Sequence, residues 1–220
     1  MADHRSPRPP LHVVVLGDSL AAGTGDERGR GIAGYLEEEL PAAGGGPVHA
    51  VNLGVRGSTT ADLRLRLTQP RHRDAVRTAD VVVLSIGAND LFRTPGVQQE
   101  LMRAPLRLAD AIRERVAGIV GELRAIAPGA RILLLGAYNP APRHSLAFLV
   151  EPLIRLWDGR LADRFAADGR VDVVRIADLV DRPDRLSRLD GFHPGGEAYR
   201  ETARRIAAML SAAPGSGRAA

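Results

Sequence analysis

The chain has 220 residues, 45% hydrophobic and 25% charged. That is enough for one well-cored domain, and no stretch approaches the roughly 18 apolar residues of a membrane span. All 30 basic residues are arginine, set against 26 acidic ones for a net charge of +4, and clusters such as Arg71-His72-Arg73 are short, which argues against nucleic-acid binding. The absence of cysteine excludes disulfides, thiolate zinc sites and cysteine nucleophiles.

Residues 1–10 carry charge and prolines but no apolar segment of leader length, so a flexible start and a cytoplasmic protein are expected. The first apolar run, Leu11–Leu16, has the short, β-branched character of a strand and leads into "GDSL". Four further runs read the same way: Val48–Leu53, Val81–Ile86, Ile132–Leu135 and Val171–Ile176. Between the third and fourth, Ile112, Val116, Ile119, Val120, Leu123 and Ile126 recur at helical spacing, and "APGA" ends that helix. Leu153, Trp157, Leu161 and Phe165 repeat the pattern up to Asp168-Gly169, with Trp157 expected in the core. Tyr199, Thr202, Ile206 and Met209 form a last helix. Strands alternating with helices predict an α/β chain whose parallel sheet is covered on both faces. A single domain is expected over 11–210, followed by a small-residue tail, 211–220, without fixed structure.

Ligands of such sheets bind at the carboxyl ends of the strands, and the unusual residues fall there: "GDSL", "NLGVRGS", "SIGAND" and "DGFHP". Gly23, Gly25 and Gly29 after the first strand suggest a phosphate cradle. A Walker loop needs a lysine, which the chain lacks, and a dinucleotide fingerprint needs glycine at 28, where Arg28 stands. The glycines at 23 and 25 then read as loop flexibility beside Ser19. A serine becomes a nucleophile when a histidine takes its proton, and that histidine is best held by a carboxylate. His4 lies in the flexible start, His12 and His49 in or beside strands, His72 on a basic surface segment, and His144 in a loop without a nearby carboxylate. No pair has the spacing of metal ligands on one helix turn. His193 follows Asp190 by three residues in the loop that opens the last helix. Donors for a developing oxyanion are available at the N–H of Ser19, at Gly54, whose missing Cβ permits close approach, and at the Asn89 amide. Asp18 reads as structural, accepting backbone N–H groups.

In this order, "GDSL" at 17–20, "NLG" at 52–54, "GAND" at 87–90 and "DGFHP" at 190–194 resemble the four blocks of the GDSL-type esterase/lipase family, also called SGNH hydrolases. The resemblance spans residue 11 to about 210. It implies a flavodoxin-like three-layer α/β/α sandwich with a five-stranded parallel sheet in the order 2-1-3-4-5. It also implies ester hydrolysis through an acyl-enzyme, with Ser19 as nucleophile, His193 as base, Asp190 as its orienting partner, and Ser19 N–H, Gly54 and Asn89 as the oxyanion hole. No metal or cofactor is implied. The α/β-hydrolase elbow is a poorer match, since Ala21 stands where that motif has glycine. The substrate is expected to be a small or acyl-chain ester. A thioester, a lysophospholipid or an acetylated sugar on the same site, or a non-catalytic binding role, are the alternatives. Two segments, 91–108 and 137–157, are expected as loops walling the pocket, with Phe92, Tyr138 and Phe148 as apolar lining and Arg56, Arg93 and Arg143 as partners for an anionic head.

Overall fold

The computed structural model describes residues 9–44, 46–93, 96, 99–100, 103–142 and 147–212, without the side chains of Phe92 and of residues 147–149. Five strands, β1 (Leu11–Gly17), β2 (Val48–Gly54), β3 (Val81–Ser85), β4 (Arg131–Leu135) and β5 (Val171–Val174), form one parallel sheet in the order β2-β1-β3-β4-β5. β5 stops at Val174 because the chain then bends into a 3₁₀ turn at Ala177–Leu179, while Ile176 stays buried.

The apolar runs are continuous because the central strands are buried on both faces. On one face Val14, Leu16, Val82, Leu84, Ile132 and Leu134 pack against α3 (Thr60–Leu67), α4 (Pro70–Arg77), α6 (Pro105–Ile126) and α7 (Ala147–Arg164). On the other, Val13, Val15, Val81, Val83, Leu133 and Leu135 meet α2 (Gly31–Ala42) and α8 (Gly196–Ser211). The alternation follows the two-residue period of a strand. The three-layer architecture and strand order are those expected. Two short helices, α1 (Ser19–Ala22) and α5 (Asp90–Arg93), follow β1 and β3 directly.

Helix α6 starts on Pro105, whose missing N–H costs nothing in a first turn. It buries Ile112, Val116, Ile119, Val120 and Leu123 on one stripe and ends before Pro128, which disfavours helical backbone in the residue ahead of it. Three expectations are corrected. Helix α7 already begins at Ala147, inside the segment read as a pocket loop; Pro152 lies within it and interrupts the pattern without ending the helix. Helix α8 runs on through Ser211, into the segment read as tail. His72 is buried, since His72 and Val76 lie one turn apart on the core face of α4, and burial lowers its pKa. Trp157 packs against the core as expected. Among the described residues no helix is long and apolar enough to cross a membrane.

The sheet register pairs Gly17 with both Gly54 and Ser85. The last residues of β2, β1 and β3 therefore stand level, and the segments that follow them emerge side by side.

Candidate active site

The turn after β1 is built on a contact that only glycine permits. Gly17 has φ +128°, and a Cβ there would overlap the carbonyl oxygen of Ser85. The next N–H, of Asp18, donates to that same oxygen at 2.9 Å. Asp18 caps α1: its Oδ1 accepts the Leu20 N–H at 3.1 Å and the Ser85 hydroxyl at 2.9 Å. This agrees with its reading as a structural residue. Burial pushes its pKa up to about 6, against the pull of the Ser85 hydroxyl and of the Leu20 and Ala21 N–H groups. Ser19 is the first residue of α1, and no described residue accepts its N–H.

The second part comes from the loop ahead of α8. Ser187 N–H donates to His193 O at 2.7 Å, Gly191 N–H to Ser187 O at 2.8 Å, and Leu186 pairs with Pro194 in an isolated antiparallel bridge. Within this closed loop Asp190 Oδ1 accepts the N–H groups of Phe192 and His193, each at 2.9 Å. Its Oδ2 lies 2.7 Å from His193 Nδ1. Burial raises the Asp190 pKa, but the hydrogen bonds from His193 and Phe192 outweigh it and hold the carboxyl below its ordinary value. His193 Nε2 lies 2.9 Å from Ser19 Oγ, across 174 residues of sequence. Both ring bonds are satisfied when Nδ1 carries the hydrogen and Nε2 accepts from the serine hydroxyl, the tautomer this network assigns. The His193 side chain is 14% exposed and Asp190 31%, so the pair is shielded yet reachable.

The third part comes from the segments that follow β2 and β3, beside the end of β1. Asn89 donates from Nδ2 to Ser58 O at 3.1 Å, which leaves its second amide hydrogen. Gly54 is needed for packing, since a Cβ there would run into the backbone of Ala21 and Ala22 in α1. Its N–H is already donated to Asn52 Oδ1 at 2.9 Å. Gly57, which the sequence motifs do not single out, has an N–H that no described residue accepts. The loop around it is gripped from both ends of α5. Arg93 donates to Gly57 O at 2.5 Å, and buried Asp90 accepts both the N–H and the hydroxyl of Thr60, at 2.9 and 2.6 Å. "NLGVRGS" offers two glycines, and no spacing rule separates them in the sequence.

The residues expected to line a pocket fare differently. Arg56 is exposed on the loop after β2, whereas Arg93 is occupied by the Gly57 carbonyl. Tyr138 is a brace: its hydroxyl donates to Phe192 O at 3.2 Å, and burial raises its pKa. Arg143 and the side chains of Phe92 and Phe148 lie outside the described residues. A cavity of about 940 Å³ opens at the opposite end of the sheet, beside Arg124, Arg131, Arg164 and Arg170. It is remote from Ser19, and these guanidinium groups are engaged by Asp168, Asp172, Glu114 and the Gly129 carbonyl respectively. Among the described residues no three His, Asp or Glu side chains converge as a metal site.

A hydroxyl, an imidazole and a carboxylate in line, with unpaired donors beside them, make an arrangement suited to acyl transfer. Comparison with known proteins agrees with this reading of the motifs. YpmR, an uncharacterized protein of Bacillus subtilis (strain 168), is 28% identical over 207 residues, covering 89% of this chain and 80% of that protein. The crystal structure of the lipase Lip_vut3 from a goat rumen metagenome superimposes with a TM-score of 0.75 at 22% identity, covering 94% of this chain and 99% of that one. A variant of Axe2, an acetyl xylan esterase from Geobacillus stearothermophilus, gives a TM-score of 0.65 at 18% identity, covering 90% and 94%. These two structures share the fold. Residues 15–201 match the model of the GDSL-like lipase/acylhydrolase family, to which this chain belongs.

Proposed function

We propose that this protein hydrolyses a carboxylic ester through an acyl-enzyme on Ser19. The observation that carries the proposal is the unbroken relay from Asp190 Oδ2 to His193 Nδ1, 2.7 Å, and from His193 Nε2 to Ser19 Oγ, 2.9 Å. Ser19 Oγ attacks the ester carbonyl while His193 Nε2 takes its proton, and Asp190 stabilises the imidazolium that forms. The tetrahedral oxyanion is met by the Ser19 N–H, the free amide hydrogen of Asn89 and the Gly57 N–H. Gly57 serves in place of Gly54, because the Gly54 N–H is spent on Asn52 whereas Gly57 has no described acceptor and sits on a loop held by Arg93 and Asn89. His193 then protonates the leaving alcohol, and water repeats the sequence on the acyl-enzyme.

The substrate is a small or acyl-chain ester. A lipase and an acetyl xylan esterase among proteins of the same fold support that breadth. A fluorophosphonate probe tests the nucleophile: the wild type is expected to be labelled at Ser19, and Ser19→Ala and His193→Ala to lose labelling and all but a residual turnover of p-nitrophenyl acetate. Either variant retaining wild-type turnover overturns the proposal. A chain-length series of p-nitrophenyl esters, beside an acyl thioester, a lysophospholipid and an acetylated sugar, then ranks the substrate classes.

A further inference from the structure

We infer that Glu27 is a positioning residue for His193, holding the loop that carries the Asp190–His193 pair in register with Ser19. The inference rests on the ester-hydrolase reading above. Glu27 Oε1 accepts the Arg188 N–H at 3.0 Å, and Oε2 accepts the Gly196 N–H at 2.9 Å. Arg188 precedes Asp190 and Gly196 follows His193, so one carboxylate from the far end of the chain spans the catalytic loop from base to base. Gly196 opens α8, where unpaired N–H groups and the helix dipole favour a negative charge.

The segment that bears Glu27 is itself tied to the nucleophile. Thr24 N–H donates to Ser19 O at 2.9 Å, and Thr24 O accepts the Tyr199 hydroxyl of α8 at 2.7 Å. Asp26, buried, accepts the N–H groups of Arg28, Arg30 and Gly31 at 2.7 to 3.0 Å and so fixes the turn on the other side of Glu27. At Gly25 this segment passes directly under His193 and Pro194. Residues 24–27 therefore form a hydrogen-bonded bridge with Ser19 at one end and the histidine loop on Glu27. Burial raises the Glu27 pKa, but the Gly196 and Arg188 N–H groups outweigh it and keep the carboxyl below its ordinary value, hence ionised at neutral pH. Glu27 is bonded to the two ends of the loop and to no member of the relay, so its removal is expected to act through the placement of His193 and to fall on kcat more than on KM. Both of its N–H partners lie near solvent, where water replaces the lost acceptor and the fold survives.

The experiment measures kcat and KM on p-nitrophenyl acetate for Glu27→Ala and Glu27→Gln, alone and in a His193→Ala background, with activity expressed per folded protein from circular dichroism. Glu37→Ala is the control: Glu37 Oε1 accepts the Ala50 N–H at 3.0 Å, the same kind of exposed bond far from the loop. A displacement approaching 1 Å costs on the order of 10²-fold. Glu27→Ala is accordingly expected to lower kcat about 10- to 100-fold with KM within about twofold. Glu27→Gln keeps one acceptor and regains part of the loss, and Glu37→Ala matches the wild type. In the His193→Ala background Glu27→Ala should cost nothing further, because a positioning effect vanishes with the group it positions. Wild-type kcat in Glu27→Ala, or an equal loss in both backgrounds, overturns the inference alone. Full turnover in His193→Ala instead overturns the ester-hydrolase reading, and this inference with it.

Discussion

A methyl group added at Gly25 tests how the chain brings Ser19 and His193 together. Gly25 has φ +94°, and a Cβ built there stands 2.7 Å from His193 Cβ, 2.8 Å from Pro194 O and 3.1 Å from Ser187 Cβ. Ordinary contact begins at 3.4 Å, so in Gly25→Ala the histidine loop must retreat by about 0.7 Å. A shift of that size directed along the 2.9 Å between His193 Nε2 and Ser19 Oγ opens the pair to at most roughly 3.6 Å, past the limit of a hydrogen bond. The rate is expected to fall by about 30- to 100-fold, in kcat more than in KM. Positive φ in an L-residue costs a further ~1–2 kcal/mol of stability, or roughly 2–8 °C in Tm for a domain of this size. Gly29→Ala separates the two effects: Gly29 has φ +67°, and a methyl group there would meet nothing within 4 Å. It should lose stability and keep its turnover. Steady-state hydrolysis well below Tm, paired with thermal melts of both variants, decides the matter. Wild-type kcat in Gly25→Ala, or an equal activity loss in Gly29→Ala, refutes the reasoning.

Three further outcomes are expected. Asn89→Ala should lower kcat by ~10²–10³ through loss of one oxyanion donor, while stability falls by only about 1 kcal/mol from the lost bond to Ser58 O; an unchanged kcat on p-nitrophenyl acetate removes Asn89 from the oxyanion hole. Asp90→Ala strips the acceptor from the Thr60 N–H and hydroxyl in a buried site and leaves Arg115 without its partner; urea unfolding should show a loss of about 2–4 kcal/mol, and less than about 1 kcal/mol would mean the clamp contributes little. Asp18, pushed up to about 6 from the ordinary 3.8, makes the folded chain bind a proton that the unfolded chain releases. Its contribution to stability is complete below about pH 4 and lost as pH rises through about 6, a change of at most ~3 kcal/mol. Asp18→Asn keeps an oxygen for the Leu20 N–H and the Ser85 hydroxyl, so its unfolding free energies at pH 4.5 and 7.5 should differ by less than those of the wild type. An identical pH slope in the two proteins speaks against a buried, titrating Asp18.

The parts of the site written in contiguous residues are legible in the sequence. Asp190 and His193 share one turn, so their bond follows from a spacing of three; "GDSL" declares itself by ending an apolar run. Strand order came from resemblance, and the level register of Gly17, Gly54 and Ser85 then brought the motifs together. What stayed hidden is held by bonds between a side chain and a distant backbone group. Arg93 reaches Gly57 across 36 residues, Asp90 reaches Thr60 across 30, and Glu27 reaches Gly196 across 169. A backbone N–H or C=O carries no residue identity, so such bonds leave no compositional trace. For the same reason Gly54 and Gly57 look alike in the sequence, and only the fold shows that the Gly54 N–H is already taken by Asn52. Gly25, read as flexibility, is fixed by what lies above it: glycine there marks two segments touching, not a mobile loop.

The level strand ends have a consequence for how this protein diversifies. The relay and its donors are anchored to β1, to the ends of β2 and β3, and to the loop before α8. The connections from Arg93 to Pro105 and from Leu135 to α7 contribute no member of the relay. Exchanging either connection for that of a relative, with Arg93 and the Tyr138 brace on Phe192 kept, should therefore leave the relay in place and turnover of p-nitrophenyl acetate near that of the wild type.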